Sequence, residues 1–360
     1  MQVPFVDLKR ENAMCNAEIQ EAIAKVVTSG QYILGETVEK FEAEFAEYCG
    51  TKYAVAVGSG SDALRLILEA MELRKYYAKQ VIVPANTFFA TAQAVVQAGG
   101  EPVFVDVDPD TGLIDVDKVS RAVTQNTKAI IPVHLYGQPV EMDDIRDIAD
   151  RHRLYLVEDA CQAHGAEYKG KKVGSIGDAG CFSFYPTKNL GGMGDSGMVT
   201  TNYGLFRRRL QRLRNHSRTN PQRVSATLLN SRMDAIQAAI LSVKLKYLDK
   251  WNFQRQVAAR YYDDCFVYRG LPMLDRNVWH LYPIYTQNAD KMAAYLAERG
   301  IQTGFHYKVP CHRQYAFKGN GAYCPNAVKF CKNHLSLPFF SQITKEEIDY
   351  VTDCLRVFQV

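Results

Sequence analysis

A lysine in a turn rich in glycine and proline is the residue of this sequence best suited to covalent chemistry. Lys188 stands in the segment SFYPTKNLGG (183–192), just after a short apolar strand predicted at 181–185. An amine in a partly desolvated site has a lowered pKa and becomes nucleophilic, which is the behaviour of a Schiff-base lysine. Taken alone, Lys188 could equally be an ordinary surface lysine.

An acid predicted at the tip of a buried strand is the second candidate. Asp159 ends the apolar run LYLVED (154–159) and opens the segment DACQAHG. The carboxyl ends of parallel strands are where α/β folds bind their ligands. Taken alone, Asp159 could also cap a helix or ligate a metal, and His164 in the same segment could be a structural histidine.

The third candidate is the segment GSGSDA (58–63), which follows a predicted strand and opens a predicted helix. Glycines and small hydroxyl residues at a helix N-terminus present free backbone N–H groups to an anion, most simply one phosphate. The segment also matches the dinucleotide fingerprint, so an NAD-dependent oxidoreductase is an alternative. Against it, the next strand ends VIVPAN, without the acid that would hold a ribose. A plain turn with an N-cap is the other alternative.

Together, the three candidates match the three anchors that pyridoxal phosphate requires. A helix N-terminus takes the phosphate, an acid keeps the pyridine nitrogen protonated, and a lysine forms the Schiff base and later moves a proton. The combination is more specific than any one segment. The sequence therefore predicts a pyridoxal-phosphate enzyme with Lys188 and Asp159 as its catalytic residues.

Short apolar strands alternate with amphipathic helices through the first part of the chain. Strands are predicted at 53–57, 81–84, 101–107, 129–135 and 154–159, and helices at 36–48, 61–72, 88–98 and 141–152. The strands are continuous apolar runs, which is typical of parallel strands covered on both faces. This order of elements predicts a doubly wound α/β domain.

The pattern changes after Asp159. Strands are predicted at 181–185 and 197–201, followed by one long helix over 233–260, the strand LYPIYTQ, the helix DKMAAYLAERG, the strand TGFHY and a last helix near 344–357. The predicted fold class is α/β: a large cofactor-binding domain with a mostly parallel sheet covered by helices (1–250), and a smaller α+β C-terminal domain (251–360).

Composition excludes several function classes. The 360 residues are 47% hydrophobic and 23% charged, with a net charge of +4, which is ordinary for a globular enzyme and argues against a dedicated nucleic-acid binder. The sequence has no apolar run long enough for a membrane span and no apolar signal core at its start. Nine cysteines without a C-x-x-C pair predict reduced thiols, and therefore a cytoplasmic protein.

The chain resembles the sugar aminotransferases of the DegT/DnrJ/EryC1/StrS family, within the fold-type I, aspartate aminotransferase-like enzymes. The resemblance covers nearly the whole chain, from PFVDLKREN through GSGSDAL, PANTFFAT, VEDACQAHGA and SFYPTKNLGGMGDSG to LNSRMDAIQAAIL and TGFHYKVP. It implies pyridoxal phosphate as cofactor and a homodimer with active sites shared between subunits. It also implies that glutamate, leaving as 2-oxoglutarate, gives its amino group to a nucleotide-linked keto sugar.

The resemblance also assigns roles to residues. Lys188 corresponds to the Schiff-base lysine and Asp159 to the partner of the pyridine nitrogen. The other cofactor contacts that it implies are, in chain order, phosphate-binding Gly60 and Ser61, ring-stacking Phe88, Gln162 on the ring hydroxyl, phosphate-binding Ser183, and Asn230 reaching the phosphate from the neighbouring subunit. From the residues alone, Phe88 could be plain core and Asn230 a helix cap.

Substrate contacts rest on the same resemblance. His306 and Tyr307 belong to a family segment that approaches the substrate, and Tyr185 flanks the lysine. Arg214, His216 or Arg218 could attract a diphosphate, although a solvated helix face is the alternative. Leu229 replaces a tyrosine that is common in the family, and this part of the chain lies close to the substrate.

The segment around the lysine predicts the position of amination. SFYPTKNLG has the form S-F-Y-P-x-K-N-L-G of family members that aminate C3. We therefore expect a 3-keto sugar, or 3-keto-6-deoxy sugar, on a thymidine or uridine diphosphate, giving a 3-amino sugar. The alternatives are amination at C4 of a 4-keto-6-deoxy sugar nucleotide, or a regulatory protein that binds pyridoxal phosphate without turnover.

Overall fold

A computed structural model describes residues 1–73, 77, 79–216, 229–265, 270 and 277–358. The helices within these ranges are α1 (Leu8–Ala13), α2 (Asn16–Ser29), α3 (Glu36–Cys49), α4 (Gly60–Ala70), α5 (Phe89–Gln97), α6 (Val116–Ala122), α7 (Met142–His152), α8 (Gly204–Leu213), α9 (Ala235–Leu245), α10 (Leu248–Cys265), α11 (Ala289–Ala297), α12 (Pro325–Asn333) and α13 (Lys345–Val357). In the described part of the chain, none of these helices combines the length and the apolar character needed to cross a membrane.

A seven-stranded sheet forms the centre of the molecule. The strands of the structure are β1 (Tyr53–Val57), β2 (Gln80–Pro84), β3 (Glu101–Val105), β4 (Thr127–Ile130), β5 (Tyr155–Asp159), β6 (Glu167–Tyr168), β7 (Lys171–Lys172), β8 (Ala179–Ser183), β9 (Gly197–Thr201), β10 (Tyr282–Tyr285) and β11 (His334–Leu337). The order in the large sheet is β1-β9-β8-β5-β4-β2-β3. Strand β9 alone runs against its neighbours in this sheet, so the predicted mostly parallel α/β sheet is confirmed.

The sheet brings the candidate segments to one edge. Strands β5 and β8 are parallel neighbours in which Asp159 pairs with Cys181, so Ser183 ends β8 close to the tip of β5. Strand β1 ends at Val57, and α4 begins three residues later with Ser59 as its N-cap. Because parallel strands end at the same edge of a sheet, the acid, the serine and the helix N-terminus meet there.

Three predicted elements differ most from the structure. The strand predicted over 129–135 is observed as β4 over Thr127–Ile130. The long helix predicted over 233–260 is divided at Lys246 and Tyr247 into α9 and α10, and α9 packs on α2 and α3 while α10 packs on α13. The predicted strand TGFHY is absent: within it only Gly304 makes a bridge, to Ser336. Its His306 carbonyl instead accepts a hydrogen bond from the Tyr136 hydroxyl, so this backbone group is not available to a strand partner.

The C-terminal part has its own small sheet, in which β10 pairs with β11. The boundary predicted at residue 250 falls in the first turn of α10. One hydrophobic cluster nevertheless joins both parts, since it includes Ile82 and Ile145 from the large sheet and its helices, and Leu296 and Leu355 from the C-terminal helices. We retain the division at residue 250 as a proposal about folding units.

A fully buried carboxylate stabilises strand β5 next to the candidate site. Glu158 accepts hydrogen bonds from the backbone N–H groups of Gly174 (2.8 Å), Ile176 (2.7 Å) and Gly177 (2.6 Å). His134 Nε2 lies 3.1 Å from the same carboxylate, and His134 Nδ1 accepts from the Val140 N–H, so Nε2 must carry the proton. Every donor around Glu158 therefore requires an oxygen acceptor.

Glu158→Gln is expected to lower the free energy of unfolding by about 1–3 kcal/mol, because the new amide NH₂ would face donors and leave buried groups unpaired. Urea denaturation followed by circular dichroism measures the change. Glu167→Gln is the matched control, since Glu167 is exposed and should tolerate the same substitution. Equal midpoints for the two variants would contradict this account of Glu158.

Candidate active site

A cavity of about 720 Å³ opens at the carboxyl edge of the sheet. The predicted catalytic residues Lys188 and Asp159 both line it. The other predicted cofactor residues that line it are Gly60, Ser61, Phe88, Gln162 and Ser183. Three of the predicted substrate residues, Tyr185, His306 and Tyr307, also contribute to its walls. The structure therefore brings together residues that lie up to about 250 positions apart in the chain, as the ends of α/β strands allow.

The Asp159 carboxylate is held from two sides. Its Oδ2 accepts a hydrogen bond from the Thr91 hydroxyl at 2.9 Å, and its Oδ1 accepts from the Cys161 N–H at 3.2 Å. The Thr91 hydroxyl is itself 2.9 Å from that of Thr87. Asp159 is only 5% exposed, so these donors fix the direction in which the carboxylate faces the cavity.

Two thiols lie beside this carboxylate. The sulfurs of Cys161 and Cys181 are 3.7 Å apart, and within the described residues Asp159, Cys161 and Cys181 form a group whose possible ligand atoms lie within 4.8 Å of one another. Burial raises the pKa of Cys181 well above its ordinary value, which favours a protonated thiol that donates toward Asp159. Cys181 would have to be a thiolate to ligate a metal ion, and its raised pKa disfavours that form.

Lys188 reaches the same cavity from a tight loop. The Lys188 backbone N–H donates to the Tyr185 carbonyl at 2.9 Å, and the Gly192 backbone N–H donates to the Phe184 carbonyl at 2.8 Å. A Cβ on Gly191 would lie 2.2 Å from the Pro186 carbonyl oxygen, so the loop closes only with glycine there. Burial lowers the pKa of the Lys188 amine below its ordinary value. Cys161 and Asp159 act in the opposite direction and raise this pKa, but the effect of burial is larger. This environment favours a nucleophilic amine.

The N-terminus of α4 lies on the cavity wall. The Ser59 hydroxyl caps the helix by accepting from the Asp62 N–H at 3.1 Å. The first N–H groups of a helix have no partner within it, so those of Gly60 and Ser61 are suited to an anion. A Cβ on Gly60 would lie 2.6 Å from the Ser183 Cβ, and glycine therefore allows the Ser183 hydroxyl to stand next to this helix end.

Aromatic and amide side chains also line the cavity. Gln162 is fixed at both ends, since its Oε1 accepts from the Tyr136 N–H at 2.8 Å and its Nε2 donates to the Tyr307 hydroxyl at 3.0 Å. Phe88 is 43% exposed and contacts the Tyr307 ring at 5.6 Å between centroids, so it is a wall residue rather than plain core. Burial, followed by the charge of Lys188, lowers the pKa of His306 to about 4.

Three of the remaining predicted residues do not line the cavity of the single chain. Asn230 is exposed and pairs with Asn215 in a short bridge, and Asp234 rather than Asn230 is the N-cap of α9. His216 is also exposed. The Arg214 guanidinium is buried against Glu42 and the Ala56 carbonyl, so it is not available to a substrate diphosphate. Arg218 lies outside the described residues.

Two polar residues of the site were missed by the sequence analysis. Thr91 holds Asp159, and His280 lies 3.5 Å from the Lys188 amine, between Nε2 and Nζ. The sequence contains a feature that could have indicated each of these two residues. Thr91 follows Thr87 by four residues, which places both hydroxyls on one face of a helical start, and His280 is a polar residue at the beginning of an apolar strand segment.

Several known proteins are similar to this chain over nearly its full length. A dTDP-3-amino-3,4,6-trideoxy-alpha-D-glucose transaminase of Streptomyces venezuelae is 41% identical over 99% of this chain and 96% of the relative. A pleiotropic regulatory protein of Geobacillus stearothermophilus is 41% identical over 99% of both chains. A dTDP-3-amino-3,6-dideoxy-alpha-D-galactopyranose transaminase of Aneurinibacillus thermoaerophilus is 42% identical over 98% of this chain and 99% of the relative. The crystal structure of S. venezuelae DesV superposes with a TM-score of 0.94 at 40% identity, covering 99% of this chain and 98% of the other.

The cavity fits the cofactor of such aminotransferases, pyridoxal phosphate. It combines a buried carboxylate, an amine of lowered pKa and a helix end that a Cβ on Gly60 would obstruct. A solved structure of NtdA from Bacillus subtilis, with the cofactor PMP bound, is also similar to this chain, with a TM-score of 0.89 at 32% identity over 99% of this chain and 84% of the other. A family model describing the DegT/DnrJ/EryC1/StrS aminotransferases matches residues 14–356. The chain therefore belongs to the DegT/DnrJ/EryC1/StrS aminotransferase family.

Proposed function

We propose that this aminotransferase takes the amino group of glutamate and places it on C3 of a 3-keto sugar, or 3-keto-6-deoxy sugar, linked to thymidine or uridine diphosphate. The observation that carries the proposal is the placement of Lys188 and Asp159 in one cavity with the N-terminus of α4. The two transaminases named above support the position of amination, because both of their names place the amino group at C3.

We assign the roles of the site residues accordingly. Asp159 would pair with the pyridine nitrogen and Lys188 would form the Schiff base. The remaining cofactor contacts would be Gly60, Ser61 and Ser183 for the phosphate, Phe88 for the ring face and Gln162 for the ring hydroxyl. When bound, pyridoxal phosphate supplies an electron sink for the negative charge that develops at the substrate carbon.

The protein's own contribution is to hold charges and to move one proton. The Thr91 hydroxyl and the Cys161 N–H keep the Asp159 carboxylate fixed as an acceptor. Lys188 Nζ, once free, would take a proton from a substrate carbon and return it elsewhere, a role that suits an amine whose pKa burial lowers below its ordinary value. Tyr185, His306 and Tyr307 would contact the sugar, and the diphosphate contacts expected of His216 and Arg218 remain proposals.

The position of amination can be tested with a panel of sugar nucleotides. Purified enzyme, glutamate and matched 3-keto and 4-keto-6-deoxy sugar nucleotides are incubated, and mass spectrometry measures the amino sugar and 2-oxoglutarate formed. We expect the 3-keto substrates to be converted at least about tenfold faster, since misplacing the reacting carbon by about 1 Å is costly. Faster conversion of the 4-keto substrates would contradict the proposal.

We also propose a homodimer with shared sites. The exposed aromatic rings of Phe88, Phe89 and Tyr185, each more than 40% exposed, support it, because clustered exposed apolar groups at a cavity favour a protein contact. A second copy could bring Asn230 to the phosphate site. The free state of all nine cysteines supports the proposed cytoplasmic location.

Mixed dimers of Lys188→Ala and Asn230→Ala chains are expected to regain activity that neither homodimer has, because one of the two sites would combine the intact residues. Subunit mixing with two affinity tags, followed by an assay of the doubly tagged species, measures this. The matched control combines Lys188→Ala with Asp159→Asn. Both residues lie in the same chain's cavity, so this pair should regain nothing. Equal results from the two mixtures would contradict a shared site.

A further inference from the structure

His280 is a polar residue of the cavity to which no role has yet been given. It lies two residues before the start of β10, is 6% exposed and lines the same cavity as Lys188. Its Nε2 is 3.5 Å from Lys188 Nζ, at the long end of hydrogen-bond distances. The other ring nitrogen, Nδ1, is 3.1 Å from the Asn189 side-chain oxygen, so the ring stands between the lysine and its sequence neighbour.

The direction of every hydrogen bond in this group can be deduced from two backbone carbonyls, which can only accept. The Asn252 Nδ2 donates to the His164 carbonyl at 2.8 Å, which leaves Asn252 Oδ1 as an acceptor. The Asn189 Nδ2 donates to that Oδ1 and to the Val278 carbonyl, both at 2.9 Å. Asn189 Oδ1 must therefore accept the proton of His280 Nδ1.

This arrangement decides the tautomer of His280. A neutral imidazole carries one proton, and here Nδ1 holds it, so Nε2 presents its lone pair to Lys188. Burial, and then the charges of Lys188, Arg255, His306 and His164, lower the pKa of His280 well below its ordinary value. The ring thus stays neutral. For Lys188 itself, burial lowers the pKa, while the nearby Cys161 and Asp159 act on the pKa in the opposite direction.

We propose that His280 is a positioning residue for the lysine: its Nε2 accepts a hydrogen bond from Lys188 Nζ, in a tautomer that Asn189 and Asn252 enforce. A neutral acceptor of this kind orients the amine and stabilises its proton without removing it. The lysine can then deliver that proton in a defined direction. The inference rests on the proposed role of Lys188 as the proton carrier, and it assigns the groups that keep Nζ in place.

Two substitutions separate this role from a structural one. His280→Asn keeps a donor near Asn189 but is too short to reach Lys188, whereas His280→Gln can place its Oε1 where Nε2 was. We expect kcat for the glutamate half-reaction to fall by about 10- to 100-fold in His280→Asn with KM little changed, and His280→Gln to recover most of it.

A second readout does not depend on turnover. The full-length protein, loaded with pyridoxamine phosphate so that Lys188 is free, is acetylated with acetic anhydride across a pH series beside a reference amine, and mass spectrometry quantifies Lys188. Without its acceptor the ammonium is less stable, so the pH midpoint should fall by about one unit in His280→Asn and return in His280→Gln. Neither readout requires the keto sugar, so an error in the proposed substrate would leave both intact.

An unchanged Lys188 midpoint and unchanged kcat in folded His280→Asn would overturn the proposal, as would a His280→Gln variant as defective as His280→Asn. Thermal midpoints are measured alongside, and His280→Leu provides a second variant that lacks the acceptor. If neither acceptor-free variant folds, His280 belongs to the stability of the fold and the proposal is wrong.

Discussion

Lys188→Ala is expected to abolish amino transfer, with a loss of about 10⁴-fold or more, because the variant lacks both the Schiff-base amine and the group that moves the proton. The expectation rests on the buried Lys188 amine, whose pKa burial lowers below its ordinary value, and alanine has no amine. The rate of glutamate-dependent 2-oxoglutarate formation measures the effect. The same variant should lose the borohydride-reducible link between protein and cofactor.

Two controls make this result specific. Lys171→Ala removes an exposed lysine of the small β6–β7 hairpin and should leave the activity and the reducible link unchanged. Peptide mapping of the reduced wild-type protein should place the cofactor on the peptide that contains Lys188. A label on any other lysine would show that the assignment of Lys188 is wrong.

Asp159→Asn should leave the fold intact and reduce kcat by about 10²- to 10³-fold, the cost typical of removing one group that stabilises developing charge. A neutral amide cannot keep the pyridine nitrogen protonated, so the electron sink weakens. The Asn side chain has the same shape, and the Thr91 hydroxyl can donate to its oxygen as it does to the carboxylate. Steady-state kinetics and circular dichroism on the purified variant test the two parts of the expectation.

Thr91→Val tests the same carboxylate as Asp159→Asn, and we expect it to have a smaller effect. It keeps the side-chain shape and removes the hydroxyl that donates to Asp159 Oδ2. We expect a loss of about tenfold, since one hydrogen bond to a charged group contributes at least about 1.5 kcal/mol. If Thr91→Val were as damaging as Asp159→Asn, or if Asp159→Asn kept near-wild-type activity, the role of the carboxylate would have to be abandoned.

The parallel sheet and its main residues could be predicted because their signals are local. Continuous apolar runs such as 53–57 and 154–157 have few alternatives to buried strands. The residues that define the motif SFYPTKNLGG lie within ten positions of the chain. Lys188, Asp159 and the start of α4 could then be placed at one edge, because parallel strands end together. The structure has all three at that edge.

The features that could not be predicted depend on contacts between distant segments. His280 matters only because it lies against Lys188 and Asn189, 92 and 91 positions away in the chain. The helix predicted over 233–260 has apolar residues throughout, but α9 packs on α2 and α3 whereas α10 packs on α13. Periodicity within one segment contains no information about such partners.

One measurement tests the central claim most directly, namely whether nitrogen from glutamate arrives at C3 of a nucleotide sugar. The enzyme is incubated with ¹⁵N-glutamate and a thymidine-diphosphate 3-keto-6-deoxyhexose, and the product is examined by NMR for coupling between ¹⁵N and the sugar carbons. The account predicts ¹⁵N bonded to C3 in the wild-type product and no product with Lys188→Ala. A product with ¹⁵N bonded to C4, or wild-type protein that binds the cofactor but transfers no nitrogen to any keto sugar nucleotide, would contradict it.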